Sequence, residues 1–274
     1  MIRSPIHLRS SLDPVPTAGC RVREGKRVQE TIQWGSLIGL AAAVFLGAST
    51  QRISGMGFAM VASPFIVMVL GPYYGVMLVN VLGGASALLI FIQVLKQIEY
   101  KKVLLLLIPA MIMTLPGAWV AHRLSGPWLS IGISIMVVLA LLSSFLVRNL
   151  PAAGGKGLAI GAGAASGFLS VTAGVSGPPV AAYAVASRWP QAQFSISIQM
   201  HFMVLACTSL IAKGGLPGLS LAQWITCAVA LVCGILLGNF LAPKIPAKAS
   251  RTFVVIIAFV GAFTLMGNGI RELL

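Results

Sequence analysis

The chain has very few acidic residues. Only five of its 274 residues are aspartate or glutamate, against 19 lysines and arginines. The five are Asp13, Glu24, Glu30, Glu99 and Glu272, and all lie outside the long apolar windows. Carboxylates are the usual proton relays and ion ligands inside a membrane, and none is available here. Paired-carboxylate hydrolysis is also excluded, and no GxSxG, HExxH or phosphate-loop motif is present, so we do not expect an enzyme.

Residues that ligate metals are scarce as well. The four cysteines form no CxxC pair and have no histidine partner at zinc-ligand spacing: Cys20, Cys207, Cys227 and Cys233. Of His7, His122 and His201, only His201 falls inside a predicted membrane span. The sequence therefore predicts no metal and no cofactor. A lone histidine in a membrane either hydrogen-bonds a neighbouring helix or faces a substrate, and both interpretations stay open.

The chain is instead rich in apolar residues. Hydrophobic residues make up 58% of the sequence and charged residues 9%, and the mean hydropathy is +0.96. Ten apolar windows follow one another: 34–50, 57–71, 74–95, 103–121, 127–147, 157–170, 177–187, 194–212, 221–242 and 251–270. A helix needs about 20 residues to cross a bilayer. The sequence therefore predicts an all-α polytopic membrane protein in which the short windows 57–71 and 177–187 are exceptions.

Two polar breaks precede these short windows and divide the chain into similar halves. Glycine, serine and proline interrupt the apolar sequence at 51–58 and again at 172–179. The same order of windows follows each break, which indicates a duplication. The predicted organisation is a basic, disordered cytoplasmic tail at 1–33, a first transmembrane repeat at 34–148, a linker at 149–156 and a second repeat at 157–274.

Charge selects among topologies, because basic residues accumulate on the cytoplasmic side. If all ten windows crossed, the basic residues would be split almost evenly between the two sides. If windows 57–71 and 177–187 only dip in and return, most of the basic residues fall inside. The sequence therefore predicts about eight transmembrane helices in two four-helix repeats, each with a glycine/proline-broken or re-entrant segment. Both termini would be cytoplasmic, and the two repeats would share one orientation.

The two breaks are the predicted binding site. The N-terminal amides of an interrupted helix carry partial positive charge and attract an anion. The candidate substrate-binding residues are Gln51, Arg52, Ser54, Gly55, Gly57, Thr172, Gly174, Ser176, Gly177, Asn80, Gln199 and His201. Pro64, Pro178 and Pro179 are the predicted hinges, because proline fixes where a half-helix begins. Arg52 either binds the ligand or extends to the membrane edge, and both interpretations remain open.

The formal net charge of +14 does not indicate nucleic acid. Most of it lies in the tail and in loops at the membrane edge, where lysine and arginine attract anionic lipid. The expected partners are a small anionic substrate and membrane lipid, with no nucleic acid. The sequence leaves open whether the protein acts as a homodimer.

The residues at the breaks resemble a known family. Residues 47–51, 55–60 and Pro64 resemble the first-repeat signature of the sulfite exporter TauE/SafE family, and residues 167–169, 174–179 and Tyr183 are similar to its second glycine-proline motif. The resemblance covers roughly residues 35–270, with Trp189 in the expected polar stretch. It implies a multi-pass carrier of small anions, such as sulfite or organosulfonates, in the bacterial inner membrane. Arg52 and Met56 depart from the pattern, so the substrate stays open.

The sequence thus predicts a secondary transporter that exports small anions. An inside-negative potential drives an anion outward by about 2.3 kcal/mol per charge per 100 mV, so export needs no coupling ion. Uptake would need a coupling ion, and His201 or backbone carbonyls would have to replace the missing carboxylates. The alternatives are a non-transporting membrane subunit or scaffold, and an anion channel.

Overall fold

The computed structural model describes residues 18–54, 57–124, 126–146, 155–242, 244–245 and 247–273. Its contacts divide the chain into two compact units, Met1–Ser36 and Leu37–Leu274. Within the first unit, the described part is helical from Ala18 onward. All statements about packing below concern the second unit.

Ten α-helices make up the described part of the chain, one for each predicted window, and no strand occurs there. Their bounds are α1 Ala18–Ser54, α2 Phe58–Leu70, α3 Pro72–Val94, α4 Tyr100–Arg123, α5 Gly126–Leu146, α6 Lys156–Ala173, α7 Gly177–Ala186, α8 Gln191–Ala212, α9 Leu221–Leu241 and α10 Ala247–Arg271. Helix α1 begins inside the segment predicted to be a disordered tail, while residues 1–17 of that segment and residues 149–154 of the predicted linker lie outside the described residues. The domain boundaries stay a prediction.

Six of the described helices are long and apolar enough to cross a membrane. They are α1 (over Trp34–Ile53), α3, α4, α8, α9 and α10. Helix α2 and the described apolar part of α5 are shorter. The all-helical, multi-pass architecture predicted from hydropathy is therefore confirmed, and the count of eight crossings is not.

The chain reverses direction at the first break. Where a Cβ would stand on Gly47 of α1, the Ala62 Cβ of α2 lies 2.9 Å away, and the corresponding position on Gly39 lies 3.7 Å from Val69. Since residue numbers rise along one helix as they fall along the other, α1 and α2 form an antiparallel hairpin. Helix α3 then reverses again, with Gly75 against the backbone of Val67. Helices α1 and α3 therefore begin at the same end of the bundle, which we call the first end.

The second hairpin opens at the opposite end. Helix α6 runs parallel to α4, because Gly163 lies against Leu106 and Gly117 lies against Val171. After α7 the chain arrives at Trp189, whose indole Nε1 donates to Glu99 Oε1 (3.1 Å) just before α4. We call this end of the bundle, where α3 finishes and α4 begins, the second end.

These contacts correct the predicted topology. The prediction of eight crossings lets α2 only dip into the membrane, which would place the beginnings of α1 and α3 at opposite ends of the bundle. In the structure, α1 and α3 begin at the same end. Helices α1 to α5 therefore alternate in direction, as do α6 to α10, and because five is an odd number the second set starts at the opposite end from the first. The expectation of a shared orientation is wrong. Helix α10 ends at the first end, where Gly269 meets Pro127 of α5. The chain thus starts and finishes its membrane region at one end, whose cytoplasmic position stays a prediction.

Glycine sets the closest helix contacts. A Cβ on Gly167 of α6 would overlap the backbone carbonyl of Ala110 in α4, and one on Gly163 would overlap that of Leu106. Small residues allow such close approach between membrane helices. This packing holds α6 firmly in place and so positions the break that follows it at Gly174, where φ is 73°.

Candidate functional site

A small cavity lies where the two breaks meet. Six helices and the second break contribute to it, so residues distant in sequence are brought together. The lining residues are Gln51, Phe58, Ala59, Met60, Val79, Asn80, Gly83, Gly84, Ser170, Gly174, Ser176, Gly177, Phe202 and Ala206. Both predicted breaks therefore border one site.

Two helix N-termini border this cavity. Helix α2 begins at Phe58 and α7 begins at Gly177, and neither has a side-chain hydrogen bond at its N-cap. Among the described residues, the first intrahelical bond of α2 is that of Val61 N–H to Gly57 O (3.1 Å), and the first amides of a helix are the ones left without an intrahelical acceptor. In α7, Pro178 and Pro179 remove two of the amide donors. The N-terminus of a helix carries partial positive charge even so, and the two N-termini place such charge at the cavity from two directions.

A hydroxyl and amide network forms one wall. Ser209 Oγ donates to Ser170 Oγ (3.1 Å), which donates to Asn80 Oδ1 (3.1 Å). The Asn80 amide donates to Val76 O (2.9 Å) and Ser170 O (3.0 Å). Both amide hydrogens of Asn80 are thereby used, so this side chain mainly joins α3 to α6 at the edge of the cavity. Sequence reasoning found Asn80 but missed Ser170, since an isolated serine inside a helix carries no signal of its neighbours.

Gln51 is the polar lining residue with unused bonding capacity. Its side chain is 3% exposed, and its Oε1 has no hydrogen-bond partner among the described residues. Leaving such a group unsatisfied costs about 1–3 kcal/mol. Because Gln51 lines the cavity at the end of α1, a ligand there is a natural partner for its amide.

The predicted site residues divide into three groups. Those that line the cavity are Gln51, Asn80, Gly174, Ser176 and Gly177. Those that do not line it are Arg52, Gly57, Thr172, Gln199 and His201. Gly55 and the side chain of Ser54 lie outside the described part of the structure.

Arg52 faces a neighbouring helix. Its Nε donates to Asn239 Oδ1 of α9, and a Cβ on Gly238 would lie 2.7 Å from the Arg52 Cβ. Thr172 is likewise occupied, because its hydroxyl donates to Phe168 O (2.6 Å). Gln199 is buried, with its amide donating to Ser195 O (2.9 Å) within α8.

His201 supports the second break from behind. Its Nε2 lies 3.0 Å from Ser166 Oγ, and Ser166 Oγ also lies 2.8 Å from the carbonyl oxygen of Ser176. A carbonyl only accepts, so the single Ser166 proton goes to Ser176, and His201 must donate from Nε2. This assignment makes His201 a link from α8 to α6 and, through Ser166, to the cavity-lining Ser176.

The predicted hinges lie within or at the start of the short helices. Pro64 is inside α2, where a Cβ on Gly261 of α10 would meet its ring at 2.9 Å. Pro178 and Pro179 open α7. In the described part of the chain, no three histidine, cysteine or acidic side chains gather closely enough to hold a metal ion.

An all-helical bundle with several membrane-length apolar helices and a central cavity at two interrupted helices defines a multi-pass membrane transporter class. Residues 40–265 match the family described as Sulfite exporter TauE/SafE. Since the match covers most of the chain, the protein belongs to this transporter family. No curated protein and no solved structure gives a significant match.

Proposed function

We propose that the protein is a secondary carrier of small anions, of the class of sulfite, organosulfonates and related sulfur oxyanions. The observation that carries the proposal is the central cavity bordered by two helix N-termini without side-chain caps. An oxyanion there receives backbone N–H groups and favourable helix dipoles. No acidic side chain is among the cavity-lining residues, so nothing there repels a negative charge.

The polar lining suits a small tetrahedral or pyramidal oxyanion. Ser176 supplies a hydroxyl, and the Gln51 amide presents two donors when turned toward the ligand. Glycines at 83, 84, 174 and 177 keep the backbone accessible. The remaining wall, including Phe58, Met60 and Phe202, is apolar and limits the water that competes for the ligand.

The inverted hairpins support transport by alternating access. One hairpin opens at the first end and the other at the second, while their breaks share the cavity. Rocking one repeat against the other would expose the same site to each side in turn. An inside-negative potential then favours export, since it drives a monovalent anion outward by about 2.3 kcal/mol per 100 mV.

Efflux from proteoliposomes tests this proposal. Vesicles loaded with sulfite, sulfate, taurine, sulfoacetate or acetate are given an inside-negative potential, and release is followed at increasing internal concentration. Saturable efflux of sulfite or a sulfonate supports a carrier, whereas flux that never saturates indicates a channel. A folded protein that releases none of these anions contradicts the proposal and favours a scaffold.

Two substitutions connect the flux to the cavity. Ser176→Ala and Gln51→Leu remove polar groups from the lining and are expected to raise the KM for efflux by about tenfold, corresponding to roughly 1.4 kcal/mol each. Gln93→Leu is the matched control, because Gln93 is exposed and its amide donates to Leu89 O within its own helix (3.0 Å). If Gln93→Leu raises the KM for efflux as much as Gln51→Leu does, the effect does not come from the cavity and the assignment of the site is contradicted.

A further inference from the structure

A buried lysine lies outside the central cavity, at the first end of the bundle. Lys213 follows the last turn of α8 and is 4% exposed. Its ammonium nitrogen has no hydrogen-bond partner among the described residues. Lysine is almost never fully buried without a partner, because the charge loses its hydration.

Aromatic and imidazole groups surround this ammonium. The Lys213 Nζ stands 5.0 Å from the centre of the Tyr73 ring, and the Tyr73 hydroxyl donates to the Lys213 carbonyl (2.7 Å). His122 Nε2 lies 3.4 Å from the same hydroxyl. The Tyr73 hydroxyl already donates its one hydrogen to the Lys213 carbonyl. It can therefore only accept a hydrogen bond from His122. Three helices thus bring their polar groups together here.

A second cavity adjoins these groups. It is lined by Tyr73, Tyr74 and His122 together with apolar residues of α2 to α5. We call it the vestibule. Lys213 is not itself a lining residue: its buried ammonium lies against the ring of Tyr73, which forms part of the vestibule wall, so its charge acts on a ligand there from behind that ring.

No carboxylate neutralises Lys213 in the described structure. Glu99 is at the second end and pairs with Lys102 (2.6 Å), and that is the only ion pair among the described residues. Glu272, just after α10, makes no ion pair there. The nearby cation Arg123 stacks over Trp119, with 5.3 Å from its guanidinium carbon to the ring centre. The residues that line the vestibule therefore include hydroxyl and imidazole groups and no carboxylate, and the Lys213 ammonium lies behind one of them, Tyr73.

The lysine also lies next to the wall of the central cavity. Its backbone N–H donates to Ser209 O (3.1 Å), and Ser209 donates to the cavity-lining Ser170. Along α3, Tyr73 is seven residues, or about 10 Å, from the cavity-lining Asn80. The backbone of Lys213 is thus one helical turn from the polar network beside the central cavity, while its ammonium lies against the vestibule-lining Tyr73.

We propose that Lys213, with Tyr73 and His122, forms a second anion-binding site, where a small oxyanion pauses between the central cavity and the first end. The ligand class rests on the proposed function, but the site does not require transport. Burial lowers the pKa of Lys213 to about 7, so its positive charge is lost just above neutral pH. A bound anion favours the charged form, and anion binding here weakens as pH rises.

Binding is measured without transport, as the rise in melting temperature that methanesulfonate causes in the detergent-solubilised protein at pH 6 and pH 9. This probe keeps one negative charge at both values. We expect the wild type to bind at least about tenfold more tightly at pH 6. Lys213→Met should show equal, weak stabilisation at both, and Lys213→Arg should keep tight binding at both because arginine stays charged.

Two controls identify the titrating group. Lys244→Met removes an exposed lysine, and His122→Gln removes the imidazole that lines the vestibule. Both variants should keep the wild-type difference between pH 6 and pH 9. The proposal is overturned if Lys213→Met keeps that difference, or if His122→Gln abolishes it. If Lys213→Met does not fold, Lys213→Arg decides, since an unchanged pH difference in that variant also overturns the proposal.

The outcome separates this site from the carrier function. Saturable efflux by the wild type with an unchanged pH difference in Lys213→Met refutes the second site and leaves the carrier standing. If the wild type shows no efflux but its methanesulfonate binding depends on pH through Lys213, the carrier proposal is refuted and the second anion-binding site stands.

Discussion

The buried ammonium of Lys213 makes the stability of the protein depend on pH in a direction that can be derived from its surroundings. Burial lowers its pKa from 10.5 to about 7. Between these values the unfolded chain holds a proton at this lysine that the folded protein lacks, so stability rises with pH. Below pH 7 both states are charged, and the folded state bears the full cost of the buried charge.

The magnitude follows from the width of that window. Each pH unit between the two pKa values is worth about 1.4 kcal/mol, so raising the pH from 7 to 9.5 should stabilise the wild type by about 3 kcal/mol. Lys213→Met fills a similar volume without a charge, and this part of the pH dependence should disappear. At pH 7 that variant should be the more stable protein by several kcal/mol.

Thermal unfolding in a neutral detergent, with a low concentration of small anions, provides the assay. Other groups titrate in the same range, so the informative quantity is the difference between the wild type and Lys213→Met at each pH. Lys244→Met, which alters an exposed lysine, should follow the wild type throughout. The reasoning fails if the wild type and Lys213→Met keep a constant difference from pH 7 to 9.5.

Three further predictions follow from individual contacts. Gly167→Ala should destabilise the protein by about 3 kcal/mol, because the new methyl overlaps a backbone carbonyl of α4, while Gly161→Ala, with open space around it, should not lower the melting temperature. Glu99→Leu should lower the melting temperature by removing the acceptor of the Trp189 indole, a cost of about 1–2 kcal/mol, and Glu99→Gln should restore most of it. Arg52→Gln should leave the KM for efflux within about twofold of the wild type, because Arg52 does not line the cavity, and a tenfold change would return it to the binding site.

Hydropathy and helix-breaking residues predicted much of the helical plan. All ten windows correspond to helices, because apolar composition and the rigid or permissive backbones of proline and glycine act locally. The two breaks were predicted for the same reason, and both border the cavity. Gly174 illustrates this, since its φ of 73° suits glycine and ends α6 where the pattern indicated.

The neighbours of a side chain could not be predicted in the same way. Arg52 lies beside a break, yet its partner Asn239 comes from α9, and only the packing of α1 on α9 determines this. Ser170 resembles any small residue inside a helix until α3 and α8 bring Asn80 and Ser209 to it. The sequence shows only that Lys213 lies in a loop between two apolar windows, because its burial depends on the helices that surround that loop.

The orientation of the repeats was mispredicted for a related reason. A short apolar window after a break either re-enters the membrane or returns along the preceding helix, and hydropathy is the same for both. The contacts of Gly39 and Gly75 show the return. Charged loops then occur at both ends, with Arg123, Lys213 and Arg271 at the first and Lys101, Lys102, Arg188 and Lys244 at the second. The loops alone thus favour the second end as cytoplasmic, whereas the basic residues before Trp34 favour the first. The two signals oppose each other, because α1 to α5 and α6 to α10 start at opposite ends and so place loops of corresponding order at opposite ends.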